Sequence, residues 1–462
     1  MNAAPVVNAG NDVTIDEGSI FFREGSFTDP GADTWSATVN YGDGPDDQIL
    51  VLDPAKTFTL NHVYADNGSY TVTVCVSDDD GAEGCDYLTV TVENVAPTAT
   101  ANGNVIDEND QATVSGTITD PGIQDSFTVM IDWGEGTPET FAYPAGTTSY
   151  NKQHQYLDDN PTGTSSDVYK IDVTVTDDDR GVGVADTTVR VNNVNPVASI
   201  DSITDETGQL IEYGVRSVLV GLTLDVVGSF TDVGSQDTQV ARIDWGDGAI
   251  DELGSTTGAA AAAHIYALPG EYTMVLIITD DDIGVGAAET TIKIVDPAEA
   301  LEEAIDDLSA FSDNPGVAAA IDKLYGESDG QASNGAIDLL EKGDLNAALG
   351  MIQQALQYLE AAQEADPSLD LANVKDFLAL TAKSVAVEAI AQAEAEATKQ
   401  NEWRKIAQAH DILAQGNALL AAWDYVGAVG KYQEAVREVQ GIHIGGVFPA
   451  KIWTVFLQLI MR

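Results

Sequence analysis

Residues 71–80 read TVTVCVSDDD, and the same pattern returns as IDVTVTDDD at 171–179 and MVLIITDDD at 274–282. In the first copy Val72, Val74 and Val76 fall on one face of a strand, and Thr71, Thr73 and Cys75 on the other. A His-x-Tyr pair precedes each copy: His62/Tyr64, His154/Tyr156 and His264/Tyr266. Before that pair comes an aromatic-Gly-acid-Gly turn: Tyr41-Gly42-Asp43-Gly44, Trp133-Gly134-Glu135-Gly136 and Trp245-Gly246-Asp247-Gly248. A second alternating strand follows each copy, and the first two run into ENVAP (93–97) and NNVNP (192–196). Short alternating runs parted by Gly, Pro, Asn and Asp clusters specify an all-β sandwich, here written three times.

The chain's two cysteines lie in the first repeat. In the partner strand Leu88, Val90 and Val92 oppose Cys85, Tyr87 and Thr89, so Cys75 and Cys85 both fall on the outward face. A hairpin centred near Asp80 sets them opposite each other, at a spacing that a disulfide can bridge. Closing so short a loop contributes about 2–3 kcal/mol. The other reading is two free, partly exposed thiols. A disulfide implies an oxidising compartment.

Beyond Pro297 the pattern changes. Ala, Leu, Glu and Gln dominate, and apolar residues recur at three- and four-residue spacing, as in amphipathic helices. The expected architecture is therefore multidomain: three all-β immunoglobulin-like sandwiches in a row (1–94, 95–194 and 195–296), then an all-α domain (297–446) and an apolar tail (447–462). Two helical segments, 343–362 and 423–442, match at an offset of 80, with Ala348/Ala428, Gly350/Gly430, Gln353/Gln433 and Ala355/Ala435 coinciding. Each follows a shorter helix, so the pair weakly resembles tetratricopeptide-type hairpins. Two units are fewer than a solenoid needs, and a plain helical bundle is the other reading.

The chain holds 75 Asp plus Glu against 20 Lys plus Arg in 462 residues, a formal net charge of −55. Of this, −41 lies in residues 1–296 (50 acids, 9 bases) and −14 in the remainder (25 acids, 11 bases). Such a charge excludes nucleic acid and anionic membrane surfaces as partners and leaves cations as the natural counter-ions. No stretch reaches the length of a membrane span. The start, MNAAPVVNAG, lacks the basic and apolar regions of a signal peptide, so either one was removed or this is part of a longer chain.

The recurring turn, the His-x-Tyr pair and the paired final strands resemble the PKD domain family, an immunoglobulin-like β-sandwich. The resemblance covers about 290 residues. Tyr41 in place of Trp, Glu135 in the second turn and the extra loop at 157–167 are mild departures from it. It implies an extracellular or cell-surface protein, in which such domains act as spacers, adhesive modules or accessory domains of secreted hydrolases.

Three adjacent aspartates at a strand end repel one another unless a cation neutralises them. Calcium tolerates irregular carboxylate sets best. In an immunoglobulin-like sandwich the B–C and F–G loops share the N-terminal pole, and the A–B turn lies at the other. The B–C loops read TDPGAD (28–33), TDPGIQD (119–125) and TDVGSQD (231–237), and the A–B turns are read as Asp16-Glu17, Asp107-Glu108 and Asp205-Glu206. This places Glu17, Asn94, Asp120, Asp177 and Asp179 at the first junction, and Glu108, Asn193, Asp232, Asp280 and Asp282 at the second. Asp29, Asp78 and Asp80 stand at the first domain's N-terminal pole, where an upstream domain or another subunit is expected to dock. Such sets are similar to the inter-domain sites of cadherins, and the PKD resemblance implies calcium at this pole. The turn glycines and the His-x-Tyr pairs are read as structural.

No HExxH, GxSxG, P-loop or Cys–His arrangement occurs, so no enzyme is expected. The sequence reads as a non-catalytic extracellular structural protein. It would be a calcium-stiffened rod of the cell surface that self-assembles into a filament or surface layer. Assembly would use the domain ends and the apolar tail, whose Trp453, Phe456 and Leu459 either pack on the helical bundle or insert into a neighbouring subunit. The alternative is an adhesive or substrate-binding accessory region of a secreted hydrolase or adhesin, with a polysaccharide or protein ligand.

Overall fold

Threonine, valine and isoleucine at alternate positions make pleated strands with one buried face. In the first domain the strands Gly68–Asp78 and Glu83–Glu93 pair antiparallel, and Val72, Val74, Val76, Leu88, Val90 and Val92 are all buried. They pack on Phe21, Phe58 and Leu60 from the facing sheet. The structure, a computed structural model, describes residues 2–160, 162–211, 217–328, 331–332 and 334–442. Trp453, Phe456 and Leu459, expected to serve assembly, lie outside the described residues. The described residues fall in two compact units that part after Val194, with residues 233–237 counted in the first.

The first unit holds two immunoglobulin-like sandwiches. In the first, the order of the larger sheet is Val13–Asp16, Glu83–Glu93, Gly68–Asp78, Trp35–Asn40 and Gln48–Leu50. Val13–Asp16 joins this sheet in parallel, after Val6–Asn8 has paired with Ile20–Thr28 in the other. The second sandwich repeats this plan, with Val105–Asp107 parallel to Val182–Asn192. The second unit holds a third sandwich, in which Val218–Leu219 takes the parallel place beside Val285–Val295.

The A–B turns follow from these parallel pairs. Glu17 N–H donates to Glu93 O (3.0 Å) and Gly18 N–H to Tyr64 O (2.9 Å). In the third sandwich the same two bonds run from Val220 N–H to Val295 O (3.0 Å) and from Gly221 N–H to Tyr266 O (3.0 Å). The residue in register with Glu17 is therefore Val220, which corrects the assignment of Asp205-Glu206 to this turn. The strand Val197–Asp205 instead runs on past a bulge between Ile200 and Ser202 and ends in its own turn, where Asp205 N–H donates to Gln209 O (3.0 Å).

Seven helices are present among the described residues: α1 (Pro297–Ser309), α2 (Pro315–Tyr325), α3 (Ala336–Glu341), α4 (Leu345–Ala365), α5 (Ala372–Glu396), α6 (Gln400–Ala421) and α7 (Tyr425–Val439). Asp296 caps α1 by accepting from the N–H groups of Ala298 and Glu299 (both 2.9 Å), with Pro297 at the first helical position. Helix α5 is buried through most of its length and forms the centre of the bundle.

The two matched segments become α4 and α7. Gln353 Nε2 donates to Val426 O (3.0 Å), and Gln433 Nε2 donates to Asn346 O (2.8 Å). Both partners differ by the same 80 residues. The start of each helix therefore meets the middle of the other, so the pair crosses antiparallel about a local two-fold at Gly350 and Gly430. A Cβ on Gly430 would stand 2.7 Å from Gln353 Nε2. This face-to-face pair differs from the side-by-side stacking of tetratricopeptide units.

Candidate metal centre

Each repeat uses its aromatic motif for structure. His62, His154 and His264 stack on Tyr41, Trp133 and Trp245 at centroid distances of 4.3, 5.0 and 4.7 Å. Each His Nε2 meets the acid of its turn: Asp43 (2.6 Å), Glu135 (3.0 Å) or Asp247 (2.9 Å). The tyrosine hydroxyls donate to the turn's aromatic carbonyl, from Tyr64 to Tyr41 O (2.9 Å), Tyr156 to Trp133 O (2.7 Å) and Tyr266 to Trp245 O (2.8 Å). Cys75 and Cys85 face each other across the final hairpin and are joined in a disulfide.

The three adjacent aspartates divide their work. The first closes the hairpin, with Asp78 accepting from Ala82 N–H (2.9 Å), Asp177 from Gly181 N–H (2.7 Å) and Asp280 from Gly284 N–H (2.6 Å). The second ties the F–G loop to the B–C loop, through Thr34 N–H to Asp79 (3.3 Å), Ser126 N–H to Asp178 (3.0 Å) and Thr238 N–H to Asp281 (2.7 Å). The third is exposed in the first two domains and buried in the third.

The first unit contains the junction of the first two sandwiches. There Gln124 N–H donates to Ala65 O (3.3 Å), and a Cβ on Gly18 would meet Pro121 Cβ at 2.6 Å, so the B–C loop sits directly against the A–B turn. Glu17 is 1% exposed; its Oε1 accepts from Val95 N–H (2.7 Å), and its Oε2 is buried with no hydrogen-bond partner. Asn94 Nδ2 donates to Asp177 Oδ2 (3.1 Å), while Asn94 Oδ1 is buried and unpartnered. Asp120 accepts from Gly122 N–H (3.0 Å) through one oxygen, and its Oδ2 is unpartnered. Asp125, also 1% exposed, has both oxygens buried and unpartnered.

Burial is the main cause that raises the pKa of these acids. Burial lifts Asp125 to about 7, helped by Glu17, Asp120, Asp66 and Asp177. Burial also lifts Glu17 and Asp120, each with carboxylate neighbours adding to the shift. Ligand atoms of Glu17, Asp120 and Asp125 lie within 4.8 Å of one another, as do those of Asp66, Asp125 and Asp179. Oxygen ligands across a calcium ion are separated by up to about 5 Å, so these spacings suit it. Every donor is a carboxylate or amide oxygen, which excludes soft, thiolate-preferring metals. Orphaned, buried, like-charged oxygens are the fit expected of a hard divalent cation.

Of the residues expected at this junction, Glu17, Asn94, Asp120, Asp177 and Asp179 are there. Asp66 and Asp125 belong to it as well. The sequence reading missed Asp66; its signal is an acid two residues past Tyr64, a place held by Asp158 past Tyr156 but by Leu268 past Tyr266.

The other expected ligands stand elsewhere. Glu108 and Asn193 belong to the first unit, where Glu108 accepts from Val194 N–H (2.7 Å) as Glu17 does from Val95. Asp232, Asp280 and Asp282 belong to the second; Asp232 accepts from Gln239 Nε2 (3.0 Å), and Asp282 N–H donates to Asp280 (3.0 Å). At the first domain's N-terminal pole a candidate trio is Asp29, Asp33 and Asp78, and the expected Asp80 is exposed. There Asp29 already accepts from Gly31 N–H (2.9 Å) and Trp35 Nε1 (3.0 Å), which hold its pKa down. Asp78 accepts from Asn2 Nδ2 (2.8 Å) as well as from Ala82.

No helix among the described residues is long and apolar enough to cross a membrane. No curated protein matches the chain. Similar solved structures include a tetra-tandem repeat from the extending region of a large adhesion protein, 15% identical, covering 63% of this chain and 74% of that one, with a TM-score of 0.32. Another is the PKD domain of an M14-like peptidase from the Thermoplasmatales archaeon SCGC AB-540-F20, 19% identical over 22% of this chain and 99% of that one, with a TM-score of 0.19. A third is a Bacteroides ovatus protein of a mixed-linkage glucan utilization locus, bound to a heptasaccharide, 13% identical over 64% of this chain and 71% of that one, with a TM-score of 0.18. The PKD domain family model matches residues 2–92 and 211–295, so the chain carries tandem immunoglobulin-like sandwiches of which the first and third match that family.

Proposed function

We propose that this chain is a non-catalytic structural module of the extracellular surface, in which calcium braces successive sandwiches into a stiff spacer. The observation that carries this reading is the set of buried, unpartnered oxygens of Glu17, Asn94, Asp120 and Asp125 where the first two domains meet. Without a cation these groups repel across the junction, so it loosens; with one they become the cross-link. The disulfide supports an oxidising setting. Assembly into a filament or surface layer through domain ends belongs to the same reading. Electron microscopy of the full chain with calcium and with EGTA tests both parts. Calcium should narrow the distribution of angles between the first two sandwiches and promote polymers. Equal distributions in both conditions would sink the bracing.

A second reading, a polysaccharide-binding accessory surface, is favoured by one groove. It measures about 610 Å³ on the second sandwich and is lined by Asn102, Thr117, Tyr143, Tyr150, Asn151 and Lys152 among others. Its lining carries hydroxyls, amides and one ammonium but no carboxylate, in a chain of net charge −55. Such a surface suits a polyhydroxylated ligand. A shift of Tyr143 fluorescence or chemical shifts on adding soluble glucans would favour it, and no response would remove it.

A further inference from the structure

We propose that the junction of the first two sandwiches holds two cations, with Asp125 as the ligand they share. This rests on the reading of that junction as cation-braced, and it adds the number of ions and what the second one does.

Two groups of ligand atoms are present, Glu17–Asp120–Asp125 and Asp66–Asp125–Asp179, and Asp125 is the one residue common to them. Both of its oxygens are buried and without a hydrogen-bond partner, so each is available to a different ion. The flanking groups are divided in the same way. Glu17 Oε2 and Asp120 Oδ2 are the buried, unpartnered oxygens on one side, and Asp66 and the exposed Asp179 stand on the other. Charge points the same way. Glu17, Asp66, Asp120, Asp125, Asp177 and Asp179 bring six carboxylates to the junction. One divalent ion would offset two of these charges, and two ions offset four.

The two positions also differ in what they connect. The first ion joins the A–B turn of the first sandwich, through Glu17, to the B–C loop of the second. The second joins a different part of the first sandwich, the turn after Tyr64 that carries Asp66, to the same loop and to the F–G loop through Asp179. One attachment limits bending but leaves rotation about the long axis. Two attachments at separate points remove that rotation.

Native mass spectrometry of the full chain in calcium counts the ions directly, and the other acidic poles cancel in the difference between variants. Glu17→Gln should lose one ion and Asp66→Asn one ion, the double variant two, and Asp125→Asn two. Far-UV circular dichroism of each variant checks that it is folded, and Asp66→Ala repeats the test with a shorter side chain. If the double variant loses no more than either single one, or Asp66→Asn and Asp66→Ala lose none, the junction holds one ion and the proposal is overturned while the bracing stands. If no variant loses an ion, both fail.

Discussion

Two junctions in this molecule are built on the same turn and solved with opposite chemistry. Between the first two sandwiches the turn reads Asp16-Glu17-Gly18, and its Glu17 faces a second set of acids. Between the third sandwich and the helices the turn in register is Leu219-Val220-Gly221. There Leu219, Leu222 and Val295 join the helical residues Ala300, Leu301 and Val385 in one continuous core. Ser384 Oγ donates to Val220 O (2.7 Å), and Lys383 Nζ pairs with Glu206 at 2.6 Å, so helix α5 supplies both a hydroxyl and a cation of its own. A hydrophobic junction is made once, when the chain folds. Under the proposed reading, a carboxylate junction would be completed only when an ion arrives, and so would answer to the ion's concentration.

Four changes test that contrast. Val220→Glu puts the acid of the other domains into an apolar turn where Lys383 is already paired with Glu206. It should destabilise the second unit by about 3–5 kcal/mol, the range for an uncompensated buried charge, and a calorimetric scan reads it. A melt unchanged by this variant would mean the apolar junction is not what holds the helices. Removing calcium should lower the melting transition of the first unit and leave that of the second in place. The loss is about 2.7 kcal/mol per ion at a hundredfold excess over its Kd.

Glu388 on α5 sharpens the contrast through pH. Burial, with Asp296 adding to it, raises its pKa to about 7 from 4.5, and its Oε2 is enclosed without a partner. The folded state therefore prefers the protonated form. The stability this gives is complete below pH 4.5 and is lost as pH rises through about 7. Glu388→Gln stays neutral throughout, so above pH 7 it should be more stable than the parent by about 2–3 kcal/mol. A denaturant titration at pH 5 and pH 8 checks this, and equal differences at both would refute it. The smallest effect is the same in all three sandwiches. Tyr64→Phe, Tyr156→Phe or Tyr266→Phe removes one buried hydroxyl donor and should cost about 1 kcal/mol each in urea melts. Unequal losses would show that the domains differ in their cores as well as at their junctions.

Much of this was legible in the sequence. The alternation of Val72, Val74 and Val76 against Leu88, Val90 and Val92 placed both strands and the cysteine pair, because burial on one face leaves a period of two. The third turn was not legible. Its acids at Asp205-Glu206 imitate the other two, but the strand Val197–Asp205 carries a bulge and runs past the expected stop. Only the backbone pairing of Val220 with Val295 shows where the turn falls. Asp125 was visible in the B–C loop, yet its loop is one residue longer than that of the first domain, and spacing alone does not say which acids point inward. The offset of 80 between α4 and α7 was legible too, but a sequence match carries no direction, and the antiparallel crossing came from the amide contacts of Gln353 and Gln433.

That crossing has a consequence for how the helical region can grow. Tandem repeats related by translation leave a fresh face at each end, so another copy can always be added. A two-fold is its own inverse: applied twice, it returns the starting helix. The contact of α4 with α7 therefore uses up both copies of its surface in one step, and no third unit can be appended through it. Any growth of the helical region would have to use a different face.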